Sequence, residues 1–145
     1  MTHDSVALVG TWLLVRARAF NGDIRDDEPY GSSPRGVLIY AADGYVAAMI
    51  SHGDRRRLSA DRVSSSMEER AEAFATSFSY AGRYAVSDGR VVHHVELASV
   101  ENWVGTDLVR ALTWEGAELV LQTPELLVGG LPRVTQLFWR RAEVR

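Results

Sequence analysis

The stretch YAGRYAVSDGRVVHHVELASVENWVGTDLVR, from Tyr80 to Arg110, decides the fold of this chain. Within it, Ser87-Asp88-Gly89 separates two runs of alternating apolar and polar residues, a pattern typical of a β-hairpin turn. A Trp-Gly corner then leads, within a few residues, into a third apolar run. Because such short turns fold successive strands back on themselves, the stretch predicts an antiparallel sheet.

Beyond this stretch, the remaining apolar runs predict further strands and one helix. The helix follows Ser66, whose hydroxyl is placed to form a capping box with Glu69, and spans about three turns. The eight predicted strands are Gly10–Phe20, Gly36–Tyr40, Tyr45–Ser51, Phe78–Val86, Arg90–Ser99, Thr106–Glu115, Glu118–Gln122 and Arg133–Arg141. No strand–helix–strand alternation occurs, so a parallel sheet is not expected.

Eight antiparallel strands protect their edges best by closing on themselves. The interior of such a barrel is wide enough for packed side chains or for one small ligand. The predicted fold class is therefore all-β: an antiparallel eight-stranded barrel with one short α-helix. The chain length of 145 residues fits a single domain over residues 1–145.

Composition excludes several classes of function. The chain has no cysteine, so disulfides, thiolate metal sites and cysteine nucleophiles are ruled out. The net charge of −3 argues against general nucleic-acid binding, which depends on clustered basic residues. No apolar run is long enough to span a membrane, and the N-terminus has no secretory pattern, so we expect a cytoplasmic protein.

The ordered motifs of the chain resemble the bacterial lipocalin-like domain family over nearly its whole length. The residues that carry the resemblance are LVGTW at 8–12, PYG and PRGVLIYAADGY between 29 and 45, the SMEE helix start, YAGRY at 80–84, VVHHVE at 91–96, NWVGTDLVR at 102–110 and FWRR at 138–141. The resemblance implies that Trp12 closes one end of the barrel. It also implies that Arg140 or Arg141 packs across the ring of Trp12, a favourable cation–π arrangement.

His93 and Arg110 are the strongest candidates for chemistry. His93 shares a strand face with Val91 and Val95, so alternation places it inside the barrel. It is either a hydrogen-bonded core histidine or an acid, base or donor in a pocket. Arg110 likewise falls between Leu108 and Leu112, where a buried cation needs a structural partner or a ligand oxygen.

The aromatic residues supply candidates for the walls of a pocket. We predict His93, Arg110 and Tyr84 as catalytic residues, with Tyr84 fixing the substrate. The predicted ligand-binding residues are Arg16, Tyr40, Met49, Tyr80, Trp103 and Trp114. Adjacent His93 and His94 point to opposite faces of a strand, so no metal site is predicted. Tyrosines in the core with satisfied hydroxyls remain an alternative to the pocket interpretation.

The favoured hypothesis is a barrel that encloses a mostly apolar small molecule and promotes its cyclisation or isomerisation without a cofactor. Some barrels related to the family act in this way in natural-product pathways on polyketide or terpenoid intermediates, and others bind apolar ligands. A non-catalytic carrier and a filled interaction module remain open as alternatives. The apolar segment Leu126–Leu131 is expected to be covered by the barrel mouth or by a second subunit in a homo-oligomer.

Overall fold

The computed structural model describes residues 3–143. Its strands are β1 Gly10–Asn21, β2 Ile24–Asp26, β3 Arg35–Tyr40, β4 Tyr45–Ser51, β5 Ser77–Ser87, β6 Arg90–Ala98, β7 Asp107–Glu115, β8 Glu118–Gln122, β9 Leu126–Val128 and β10 Leu131–Arg141. The helices are α1 His3–Leu8 and α2 Met67–Ala75, with a 3₁₀ turn at Glu101–Trp103. All eight predicted strands are present, which confirms the all-β fold class.

The barrel closes because β1 pairs with two partners. It runs antiparallel to β3 on one side and to β10 on the other. The order around the barrel is β1-β3-β4-β5-β6-β7-β8-β10, and every neighbouring pair is antiparallel. The short strands β2 and β9 are not part of the barrel wall. Strand β2 pairs with the end of β1, and β9 pairs with the start of β10. Alternate residues of each strand therefore face either a shared interior or the solvent.

The two ends of the barrel are built differently. At one end, called here the capped end, tight turns such as Asp88-Gly89 join the strands, and α1 covers the opening. At the other, the loop end, the connections are long and carry β2, α2, the 3₁₀ turn and β9. Among the residues described, 3–143, no helix is long and apolar enough to cross a bilayer.

Trp12 seals the capped end as the family resemblance implies. Its ring is buried, its Nε1 donates to the Leu8 carbonyl at 2.9 Å, and the Arg141 guanidinium lies 4.3 Å from the ring centroid. The expected cation–π contact is therefore confirmed, with Arg141 as the partner. Gly10 has a φ of +134°, and a Cβ there would lie 2.8 Å from Nη1 of Arg141, so the start of β1 requires glycine.

Helix α2 begins where the sequence predicts. The Ser66 hydroxyl accepts from the Glu69 N–H at 3.1 Å, which confirms the cap, while the Glu69 carboxylate reaches back to the Ser59 N–H at 2.7 Å. The apolar side of the helix is not buried, since Met67 and Phe74 are both exposed. Arg56 bonds the Glu72 carboxylate and thereby holds the helix to the preceding loop.

The hairpin formed by β9 and the start of β10 lies on the surface. Leu127 is 75% exposed, and its apolar neighbours Leu126, Val128 and Leu131 are exposed as well. The expectation that the barrel mouth covers this segment is therefore wrong, because the hairpin projects past the last wall strands instead of folding over them. A subunit contact at the hairpin stays a prediction.

Candidate functional site

A small cavity lies inside the barrel, between its centre and the loop end. Its volume is about 50 Å³, which is room for a few water molecules. The cavity is mostly apolar, with a minority of polar side chains. Its lining residues are Tyr30, Leu38, Ala48, Ile50, Phe78, Tyr80, His93, Arg110, Leu121, Thr123, Leu137 and Trp139. Seven strands and two loop-end segments thus contribute to the lining.

His93 lies in this wall as strand alternation predicts, and both of its ring nitrogens have partners. Nε2 lies 2.6 Å from the Tyr40 hydroxyl, and Nδ1 lies 2.7 Å from the Tyr80 hydroxyl. Burial, together with a smaller contribution from the nearby Arg110 cation, lowers the pKa of His93 to about 3. The imidazole is therefore neutral at physiological pH and serves as a bridge between two tyrosines.

Arg110 also faces the interior, from the strand next to His93. On β7 it is the direct neighbour of Val91 on β6, so its side chain lies diagonal to His93. Its Nη1 donates to the Val109 carbonyl at 3.0 Å. None of the ion pairs within residues 3–143 involves Arg110. The structural partner of Arg110 in the described chain is therefore a backbone carbonyl.

Aromatic rings cover the cavity on the loop-end side. Trp103 meets Phe78 and Tyr80 edge to face, with centroid distances of 5.6 and 6.1 Å. Tyr30 packs on the other side of Phe78 at 6.0 Å, and burial raises the pKa of its hydroxyl. The rings make no hydrogen bonds to one another, so the cover is held by contacts of modest strength.

Tyr40 and Tyr84 lie deeper, towards the capped end. Tyr40 is fully buried and meets Tyr84 edge to face at 4.8 Å. The Tyr84 hydroxyl donates to the Ala41 carbonyl at 2.9 Å, and Tyr84 does not line the cavity. The structure therefore brings His93, Arg110, Tyr80 and Tyr40 together and leaves Tyr84 outside the group.

Arg16, one of the predicted ligand-binding residues, lies on the outer surface of the barrel. The register of β1 against β10 shifts between Leu14 and Arg16, which is a β-bulge. The bulge reverses the alternation, so that Ala17 is inside where Arg16 was expected. The guanidinium instead bonds Glu118 at 3.0 Å and covers the outer face of Phe138, 4.1 Å from the ring centroid.

Met49 and Trp114 do not line the cavity either. Met49 is 65% exposed because Ala48 and Ile50 take the inward positions of β4. The sequence contained that signal, since Val46 and Ile50 are the larger branched residues of one face. Trp114 keeps the inward parity of β7 but lies past the cavity, 46% exposed and 5.8 Å from Trp12.

Nine of the twelve lining residues were not predicted as site residues from sequence, among them Tyr30, Thr123 and Trp139. Tyr30 lies in the long loop that follows β1, where no periodicity assigns a direction to a side chain. Thr123 follows the last residue of β8 and accepts from the Thr135 N–H at 3.0 Å. Trp139 shares the inward parity of Leu137, so the alternation of β10 could have found it.

The remaining titratable groups do not form a metal centre. Within the described chain, residues 3–143, no three histidine, aspartate or glutamate side chains converge on one point. His94 points outward and pairs with Asp107 at 2.8 Å, on the face opposite His93. The chemistry available inside the barrel is therefore that of neutral donors, one guanidinium and aromatic rings.

A closed antiparallel barrel with a tryptophan-sealed end and a cavity towards the other end defines the lipocalin-like class of proteins. The sequence model of the family described as a lipocalin-like domain matches residues 9–142, and the chain belongs to this family. It is also similar to the 4'-hydroxy-3'-methoxypropiophenone carrier protein ppsC of Aspergillus oryzae. The two are 34% identical over 88 residues, which cover 54% of this chain and 79% of the relative.

Proposed function

We propose that this barrel is a carrier that binds a small, mostly apolar, oxygenated molecule in the cavity beneath Trp103. The observation that carries the proposal is Arg110, a cation among apolar and aromatic walls without a carboxylate partner in the described chain. Arg110 is partly buried and bonds the Val109 carbonyl, so most of its five N–H donors stay available to an oxygen of a ligand. The name of the fungal relative, a carrier of an aromatic ketone, supports the same function.

The geometry favours carriage over chemistry that depends on proton transfer. A general base works best with a pKa near the operating pH, whereas the pKa of His93 is lowered to about 3. Both ring nitrogens of His93 are already hydrogen bonded to tyrosines. Tyr84 donates to a backbone carbonyl outside the cavity. Cyclisation or isomerisation by shape and fixed donors alone would use the same walls, and it is the alternative that the experiment below separates.

The cavity must enlarge to take such a ligand. Sites for small molecules usually have volumes of about 300–1,000 Å³, and this cavity measures about 50 Å³. Each edge-to-face ring contact at the loop end is worth roughly 0.5–1.5 kcal/mol. An aromatic ligand that buries about 150–250 Å² would gain about 4–6 kcal/mol. Ligand burial therefore outweighs the loss of the contacts around Trp103, and we expect entry at the loop end.

A binding and recovery experiment tests the proposal. The purified protein is titrated calorimetrically with 4'-hydroxy-3'-methoxypropiophenone and with a panel of phenyl ketones, and the ligand is then extracted and analysed by mass spectrometry. We expect saturable binding at one site, recovery of unchanged ligand, and at least tenfold weaker binding by Arg110→Met.

Arg16→Met is the matched control, because it removes an arginine from the outer wall of the same barrel. It should bind as the wild type does. Recovery of a chemically altered ligand would show that the protein is an enzyme and not a carrier. An absence of binding across the whole panel would overturn both.

A further inference from the structure

The buried group Tyr40–His93–Tyr80 has one more proton than its two hydrogen bonds use. The neutral imidazole carries one N–H, and each tyrosine carries one O–H. One ring nitrogen must donate to one tyrosine oxygen, while the other ring nitrogen accepts from the second tyrosine. The tyrosine that accepts from His93 therefore keeps its own hydroxyl proton free for another partner.

The surroundings of the two tyrosines decide which one keeps the free proton. Tyr40 is 0% exposed, does not line the cavity, and has no hydroxyl partner other than His93 in the described chain. A free donor at Tyr40 would be a buried unsatisfied group, which costs about 1–3 kcal/mol. Tyr80 lines the cavity, where a ligand or a water molecule can accept its proton. Tyr40 therefore donates to Nε2, and Nδ1–H donates to Tyr80.

Both tyrosines stay protonated under physiological conditions. Burial raises the pKa of Tyr80 to about 12, against a lowering influence of Arg110, and it raises the pKa of Tyr40 well above its ordinary value. Neither hydroxyl therefore ionises near neutral pH. The direction of the two hydrogen bonds, from Tyr40 to His93 and from His93 to Tyr80, does not change there. Tyr80 is a fixed donor over this range.

Two further polar groups of the cavity can only donate hydrogen bonds. Arg110 has only donors, and the Trp139 Nε1–H is buried without a hydrogen-bond partner among residues 3–143 although its ring lines the cavity. Among the described residues of the lining, none carries a carboxylate. A wall of this kind favours ligands whose polar atoms accept hydrogen bonds.

We infer that the Tyr80 hydroxyl, oriented by His93 and Tyr40, donates to a carbonyl oxygen of the ligand, and that the site selects carbonyl compounds over hydrocarbons of the same shape. The inference rests on the proposed binding function. It assigns the chemical class of the ligand and the residue that recognises its carbonyl group. Arg110 assists as a second donor to the same end of the ligand. His93 is a positioning residue, since it acts through Tyr80.

The first test measures the tautomer of His93 and needs no substitution. A long-range ¹H–¹⁵N correlation spectrum of the labelled protein at neutral pH reports which ring nitrogen carries a proton. We expect the proton on Nδ1 and none on Nε2, with the signal assigned by its loss in His93→Gln. A proton on Nε2, or on both nitrogens, would overturn the inference whether or not a ligand is known.

The second test compares acetophenone with ethylbenzene, which differ only in having C=O in place of CH₂. The wild type should bind the ketone more tightly, and Tyr80→Phe should reduce that preference about tenfold, the value of one hydrogen bond. Tyr84→Phe is the matched control, because it removes a tyrosine hydroxyl that bonds a backbone carbonyl outside the cavity. It should keep the full preference.

The outcomes separate the inference from the function on which it rests. If neither probe binds the wild type, the proposed binding function fails. The tautomer measurement still tests the direction of the hydrogen bonds between His93 and the two tyrosines. If both probes bind equally well to the wild type, or if Tyr80→Phe keeps the preference, the function stands and the inference is wrong. If Tyr80→Phe does not fold, the tautomer and the preference of the wild type decide the question.

Discussion

The capped end and the loop end of this barrel satisfy their polar groups in opposite ways. At the capped end, Trp12 donates to the Leu8 carbonyl, and Arg141 bonds the carbonyls of Val9 and Ala7 while covering the Trp12 ring. Near the loop end, Arg110 has one backbone carbonyl and Trp139 Nε1 has no partner in the described chain. The saturated end stabilises the fold, whereas the donors left unpaired near the loop end are available to the proposed ligand.

Removal of the Trp12 ring should have the largest effect on stability. Trp12→Ala is expected to lose about 3–5 kcal/mol of unfolding free energy, since a buried aromatic leaves both a cavity and unpaired neighbours. Urea denaturation measures the loss. Trp114→Ala is the control, because that ring contacts Trp12 but is already about half in water, and it should cost clearly less. An unchanged midpoint for Trp12→Ala would contradict the comparison.

Acid should weaken the fold through His93. Its pKa is lowered from 6.5 in the unfolded chain to about 3 in the fold, so the unfolded state binds the proton more readily. Stability from this group is complete above pH 6.5 and falls as the pH drops towards 3, with a slope approaching about 1.4 kcal/mol per pH unit. Denaturant titrations at successive pH values measure the slope. His93→Gln should lack this component, and parallel pH profiles for the two proteins would refute the assignment.

Opening of the aromatic cover should change rates more than stability. Trp103→Ala removes two edge-to-face contacts over the cavity and should speed the association of acetophenone about tenfold. Stopped-flow fluorescence measures the rate in the variant and in Trp114→Ala, whose ring lies past the cavity. Equal acceleration in both variants would mean that entry does not depend on the loop end.

The smallest effect is expected at the exposed hairpin. Leu127→Asp should leave the unfolding free energy within about 0.5 kcal/mol of the wild type, because the side chain is already solvated. Sedimentation velocity at several concentrations then reports on the predicted subunit contact. A smaller species for Leu127→Asp than for the wild type would support that contact, and identical profiles would exclude it at this hairpin.

Local pattern was enough to predict the barrel and part of its site. Alternation along β6 and β7 placed His93 and Arg110 inside, because a strand without irregularities assigns each side chain to one face. The same rule assigns Arg16 to the wrong face of β1, because a bulge after Leu14 shifts the register and the sequence does not mark that bulge. Met49 does not line the cavity for a simpler reason. The opposite face of β4 carries the larger branched residues, and that face points inward.

The family resemblance implied the sealing of one end by Trp12. The sequence by itself determined the eight wall strands, their antiparallel order and the Ser66 cap. These follow from periodicity, turn chemistry and motif, which act over a few neighbouring residues. Only the tertiary structure decided that Tyr40 and Tyr80, which lie 53 and 13 residues from His93, form hydrogen bonds with its two ring nitrogens. It also decided that Arg110 has no carboxylate partner among residues 3–143. Closure of the barrel, and not any local signal, selects which side chains meet inside it.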